Sequence, residues 1–158
     1  GITGWFLSAS DVAFLFLDVF LLVLFGTALS SIVTFPLSSN GQASAVGTIV
    51  SAGYGFICGA YMPISSFSDG LQKVLSFLPG TYGTSLLRNH ALLGVFREMR
   101  ASGFPDEVVE SIRDSVDCNL YFFENKVETG TMFLILGGSI AFLIALYVLF
   151  NAVSRRRN

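Results

Sequence analysis

Charge is what this sequence has least of. Asp, Glu, Lys and Arg together make up 13% of its 158 residues, against about a quarter in a soluble domain. So little charge excludes an ordinary water-solvated globule and points to lipid as the solvent. Basic residues are scattered apart from Arg155, Arg156 and Arg157, and the net charge is -2, which gives no footing for nucleic acid. There are two cysteines; Cys58 falls in an apolar block and Cys118 in a polar one, at different predicted depths, so no bridge is expected between them. The chain has no G-x-x-x-x-G-K-[ST] run to wrap phosphates, no HExxH and no CxxC. If ATP is used, another chain binds it. His90 is the single histidine, and its neighbourhood in sequence supplies no partner for catalysis or metal binding. No catalytic, cofactor or metal site is expected. Nor do the first residues resemble a signal peptide; beginning at Gly1, the chain reads as a cut piece.

What is there is apolar: 53% hydrophobic residues and a mean hydropathy of +0.68, gathered in three long blocks. The first, residues 12–35, has about 24 residues and covers roughly 36 Å as a helix, enough to cross a hydrocarbon core. Pro36 ends it, and LSSNGQ supplies a short polar turn. The second, 43–62, is uncharged and closed by Pro63; its glycines are poor helix formers in water, but in lipid every backbone group must be satisfied internally. The third, 131–150, is also uncharged. The arginines that follow it are a positive-inside signal and put the C-terminus in the cytoplasm. Residues 36–42 are then inside and residues 63–128 outside.

Residues 63–94 contain LQKVLSFL and TYGTSLLRNHALL, each too short to cross and separated by Pro79 and Gly80. They predict an outer hairpin of re-entrant or interfacial helices, the first capped by Ser68 or Asp69 and the second opened by Pro79. Residues 95–128 carry eight of the eleven acidic residues and read as an aqueous outer loop. Within it Val108, Val109, Ile112 and Val116 recur at helical spacing, predicting a short amphipathic helix that packs on the hairpin. The fold class expected is therefore an all-α membrane protein: three transmembrane helices, an outer hairpin and a small helix in an outer loop.

Asp18 is the single ionisable residue inside a span. An intramembrane charge is costly unless paired or wetted, which makes it a candidate for function; equally, lying roughly 9 Å below the outer end, it has headgroups or an outer-loop cation within reach. In the second span Ala43, Gly47, Ser51, Gly55 and Gly59 form a small-residue stripe that permits close helix approach, for plain packing or for a moving pathway wall. Gly137, Ala141 and Ala145 repeat it more weakly in the third.

Between residues 51 and 88 the order of features is distinctive. A Gly-rich span leaves through Gly59, Tyr61, Pro63 and Ile64; a short helix follows; then come Pro79, Tyr82 and Arg88. In this order and spacing the chain resembles the permeases of type-2 ABC exporters. The resemblance implies that the three spans are the fourth to sixth helices of a six-helix domain and residues 63–94 its outer re-entrant hairpin, with GITGWFL at Gly1–Leu7 the outer end of the preceding helix. It further implies an ABC ATPase subunit and a second permease subunit, identical or not, as partners in the plasma membrane. The chain would then form pathway wall and outer gate. The substrate class stays open among drugs, lipids and polysaccharides. A membrane-anchored interaction protein presenting the acidic 95–128 loop is the rival reading, and an intramembrane hydrolase a distant third.

Overall fold

The computed structural model describes residues 6–123 and 125–155. It is mostly helical: α1 (Ala9–Thr34), α2 (Asn40–Ile57), a 3-10 turn (Ile64–Ser66), α3 (Asp69–Leu75), α4 (Pro79–Ala101), α5 (Asp106–Ser115), a two-stranded antiparallel ribbon (β1 Tyr121–Phe122, β2 Asn125–Lys126) and α6 (Thr129–Arg155).

Two helices, α1 and α6, are long and apolar enough to cross a membrane, each with a mean hydropathy of 2.5. Only 17% and 11% of those apolar stretches is buried inside the chain, whereas a soluble core helix would hide most of its surface. Phe16, Phe20 and Val23 on α1 and Leu134, Phe142 and Val148 on α6 all face outward. A capping box starts α1: Ser8 Oγ accepts from the Asp11 amide and Asp11 accepts from the Ser8 amide, satisfying two donors the first turn would otherwise leave open. The only buried residues of α1 are Asp11, Asp18 and Phe25, spaced seven apart, the interval at which one helix keeps a seam against another.

That seam faces α4. Asp11 pairs with Arg97, Asp18 with His90, and Leu22 sits where a side chain on Gly83 would go, so α1 and α4 run antiparallel. On its other side α4 packs against α6, with His90 near Phe133 and Gly83 near Leu136, again antiparallel. Phe35 meets Tyr147 and Phe150, so α1 and α6 are parallel. The main core, Phe25, Tyr82, Leu86, Leu120, Met132, Leu136 and Ile140, lies where the three helices meet. Against α1, α2 runs back: Tyr54 lies by Phe25, and a groove of about 380 Å³ between them is lined by Gly26, Leu29 and Val33 from one side and Val50, Ser51 and Gly55 from the other.

Three sequence expectations change. The second short stretch of the hairpin is a continuous 23-residue helix that passes through the expected boundary at residue 94; its apolar run is broken by Arg88, Asn89 and His90, whose polar ends meet partners inside the fold. The second apolar block is helical over only 18 residues, because Gly59 adopts φ +80, a left-handed turn that ends the helix before Tyr61. And α2, whose small-residue stripe permits close helix approach, buries none of its residues. A side chain on Gly47 would meet nothing within 4 Å, and one on Gly55 would run first into the Tyr61 ring. Close backbone approach belongs to α4, where side chains on Gly80, Gly83 and Gly94 would overlap Tyr54 and Cys58, Leu22, and the Phe6 backbone respectively.

The amphipathic helix is present as α5. Val109 packs with Phe96 and Cys118, and Leu92, Met99, Ile112 and Val116 close around them. Val108 departs from the expected face and is 42% exposed. The expectation for GITGWFL lies outside the described residues except for Phe6 and Leu7, as do Arg156 and Arg157.

A polar seam and clamp around helix α4

One face of α4 carries Thr81, Ser85, Arg88 and Asn89, and His90 lies on the side toward α1; all but Arg88 are buried or nearly so. A helix bears such a face inside a fold only where each polar group finds a partner. Here the partners come from two directions.

The first is the 117–119 segment that follows α5. Ser85 Oγ donates to the Asp117 carbonyl at 2.7 Å, the Asn89 side chain donates to the Cys118 carbonyl, and Arg113 donates to Asn89 Oδ1 at 2.8 Å. Asp117, with φ 54, occupies the left-handed region that Asp tolerates better than most residues. Its carboxylate takes the amides of Ile64 and Ser65 and the Arg88 guanidinium at 3.1 Å. Arg88 also donates to the Gly59 carbonyl, and Thr84 to that of Cys58 at 2.6 Å. The turn leaving α2, the start of the hairpin, the middle of α4 and the polar segment after α5 thus close on one carboxylate. This many bonds hold Asp117 in its uncommon conformation.

The second direction is α1. His90 Nδ1 lies 2.6 Å from Asp18 Oδ2, its ring stacked on Phe14 with centroids 5.1 Å apart. Asp18 is 0% exposed, and its Oδ1 meets no hydrogen-bond donor among the described residues. Asp18 therefore pairs within the fold with His90 of α4. One heptad toward the start of α1, Arg97 Nη2 is 3.4 Å from Asp11.

Around α5, Glu110 draws Arg100 at 3.0 Å, Arg113 at 3.7 Å and Lys126 at 3.3 Å, and Asn119 donates to it at 3.0 Å. Partial burial pushes the Glu110 carboxyl up, but the Asn119 bond and the two cations Arg113 and Lys126 outweigh it and hold the group below the usual glutamate range. Burial pushes the Cys118 thiol up to about 11, which keeps it an inert thiol at neutral pH. Both cysteines are free.

Of the residues singled out in sequence, Gly59 and Arg88 meet in the clamp, with Ile64. Pro63 precedes the 3-10 turn, Pro79 opens α4, and Tyr82 is buried with its hydroxyl donating to the Ser76 carbonyl at 2.5 Å. Tyr61 is exposed, its ring 5.1 Å from Phe56. Gly47, Ser51 and Gly55 line the α1–α2 groove, away from the clamp. Sequence reasoning missed Asp117, Asn89, Asp11, Arg97 and His90. The signal available was the matching interval: acids at 11 and 18, bases at 90 and 97. Among the described residues no group of three His, Cys, Asp or Glu side chains gathers as a metal site. Comparison with protein-family models, with curated proteins and with solved structures finds no match.

Proposed function

We propose that this chain is part of the transmembrane permease of an ATP-driven exporter of the type-2 ABC class, crossing the plasma membrane three times, with α1, α2 and α6 as the crossings and a hairpin of α3 and α4 turned back from the outer face. One observation carries the reading: Gly59, Ile64 and Arg88, residues of the sequence pattern spread over 30 positions, converge on one clamp with Asp117. The pattern therefore has a physical basis in fixing the exit of α2 to the hairpin. The parallel run of α1 and α6, with α2 returning between them in sequence, is the arrangement three crossings require. The C-terminus is cytoplasmic in this reading, the substrate pathway wall includes α2, and the clamped hairpin serves as outer gate. ATP is hydrolysed by a separate ATPase subunit, and a second permease subunit covers the α2 surface that this chain leaves open.

The rival reading, a membrane anchor presenting an acidic loop, is weakened by where the acids go. Glu110 and Asp117 are spent on Arg100, Arg113, Lys126 and Arg88 within the fold, leaving a poorer acidic display than the sequence promised. Affinity purification of the full-length protein from its native membrane tests the choice. The exporter reading expects a P-loop ATPase subunit in stoichiometric amount; recovery of the intact protein with no nucleotide-binding partner would reject it.

A further inference from the structure

We propose that Asp18 and His90 form a one-proton site that latches α1 to α4: the seam closes with the proton bound and opens when it leaves. The proposal stands whether or not the chain belongs to an exporter.

Two features set this pair apart from the other ion pairs. Both partners lie on helices and inside the seam, with Asp18 fully buried and His90 sandwiched by Phe14 and Phe133. And Asp18 Oδ1 is buried without a donor among the described residues, so the carboxylate is compensated on one oxygen only.

Charge counting then selects the proton state. With one proton between them, the acid and the imidazole are neutral as a pair, whether the proton sits on Nδ1 or on the carboxyl. With none, the seam holds a net negative charge in a low-dielectric setting, where uncompensated charge costs several kcal/mol. Among the described residues no neighbour supplies the missing positive charge. On α1 the nearest titratable group is Asp11, itself acidic and engaged by Ser8 and Arg97. On α4, Arg97 is held by Asp11 and Arg88 by Asp117. On α6 the adjoining side chains are Met132, Phe133 and Leu136, all apolar. The proton is therefore the ligand that makes the closed seam neutral, and by linkage whatever separates α1 from α4 releases it. Histidine is the side chain suited to such a site near neutral pH.

Because Asp11 and Arg97 sit one heptad outward and Phe25 one heptad inward, the latch lies mid-seam, where a shift of one helix past the other must break it. A proton released there leaves along the polar rung at Asp11 and Arg97, the more exposed end of the seam, since the Arg97 side chain is 56% exposed.

The test uses the full-length protein in lipid vesicles, with nitroxide labels on Phe16→Cys of α1 and Val95→Cys of α4, both outward-facing positions, and with Cys58 and Cys118 replaced by alanine. Dipolar spectroscopy follows their separation from about pH 5 to about pH 8, the range in which an imidazole changes charge. A longer-distance population that grows with pH in the otherwise unaltered chain is expected. It should persist in Asp11→Asn and be lost in Asp18→Asn/His90→Gln, which keeps a hydrogen bond but cannot titrate. A distance distribution independent of pH in the unaltered chain would overturn the proposal even if the double variant fails to fold. So would a response abolished by Asp11→Asn, which would assign it to the outer rung, or one retained in a folded double variant.

Discussion

Arg88 reaches Asp117 at 3.1 Å across 29 residues of sequence, and with the same guanidinium holds the Gly59 carbonyl. One side chain thus ties the end of α2, the middle of α4 and the segment after α5. Its truncation leaves a carboxylate that is 5% exposed without its countercharge, a change that typically costs about 3–5 kcal/mol. Arg88→Ala is expected to make the 95–128 segment susceptible to protease added from outside. Arg88→Lys should not rescue it, because an ammonium cannot reach two acceptors with the fork of a guanidinium. Protease resistance equal to that of the unaltered protein would contradict the clamp.

Within residues 95–128, the buried side of α5 is narrower than its valine and isoleucine spacing suggests. Val109→Asp and Ile112→Asp put a charge against Phe96 and Met99 and should each loosen the outer segment in the same protease assay. Val108→Asp points outward and should be tolerated, with an effect of about 0.5 kcal/mol or less. Equal sensitivity at 108 and 109 would show that the helix is turned differently.

Much of the fold was legible because lipid-type helices need no periodicity. Both α1 and α6 announce themselves as unbroken apolar runs, and their bounds fall within a few residues of expectation, widening into flanking residues that hydropathy alone does not count. The helix α4 was not legible for the opposite reason. Hydropathy treats Arg88, Asn89 and His90 as solvent-seeking, but each is matched by a group from a distant segment, and no local pattern records a partner 29 or 72 residues away. The α2 stripe of small residues was read as the packed seam because i, i+4 spacing is visible. The glycines at the true close approaches, 80, 83 and 94, follow no such interval.

Those glycines give a contrast in tolerance. Gly83→Leu drives a side chain into Leu22 and Leu136 and should destabilise the isolated chain by about 1–3 kcal/mol or more, as overpacking does. Gly47→Leu fills open groove and should leave thermal stability nearly unchanged, with any penalty appearing only in assembly or transport. A thermal melt in which both variants lose equally would mean that α2 is as tightly packed within the chain as α4.

Acid should weaken the outer segment. The folded Glu110 carboxyl is held below its ordinary range, so its network favours the folded state at pH above that range, and the contribution is lost as pH falls through and below roughly pH 4. Glu110→Gln removes this dependence. Protease resistance of residues 95–128 should therefore fall toward low pH more steeply with Glu110 present than in the variant. Parallel curves would show that Glu110 is not the source of the acid sensitivity.

In the proposed arrangement three crossings leave the clamp outside. Single cysteines at Ser39, Asp106 and Ser154, in a chain with Cys58 and Cys118 replaced by alanine, can be probed in intact cells with a maleimide that cannot cross the membrane. Labelling at Asp106 alone, with Ser39 and Ser154 reacting only after the membrane is opened, is the predicted result. Labelling of Ser39 and Asp106 together from the same side would mean that α2 does not cross, and would contradict the account.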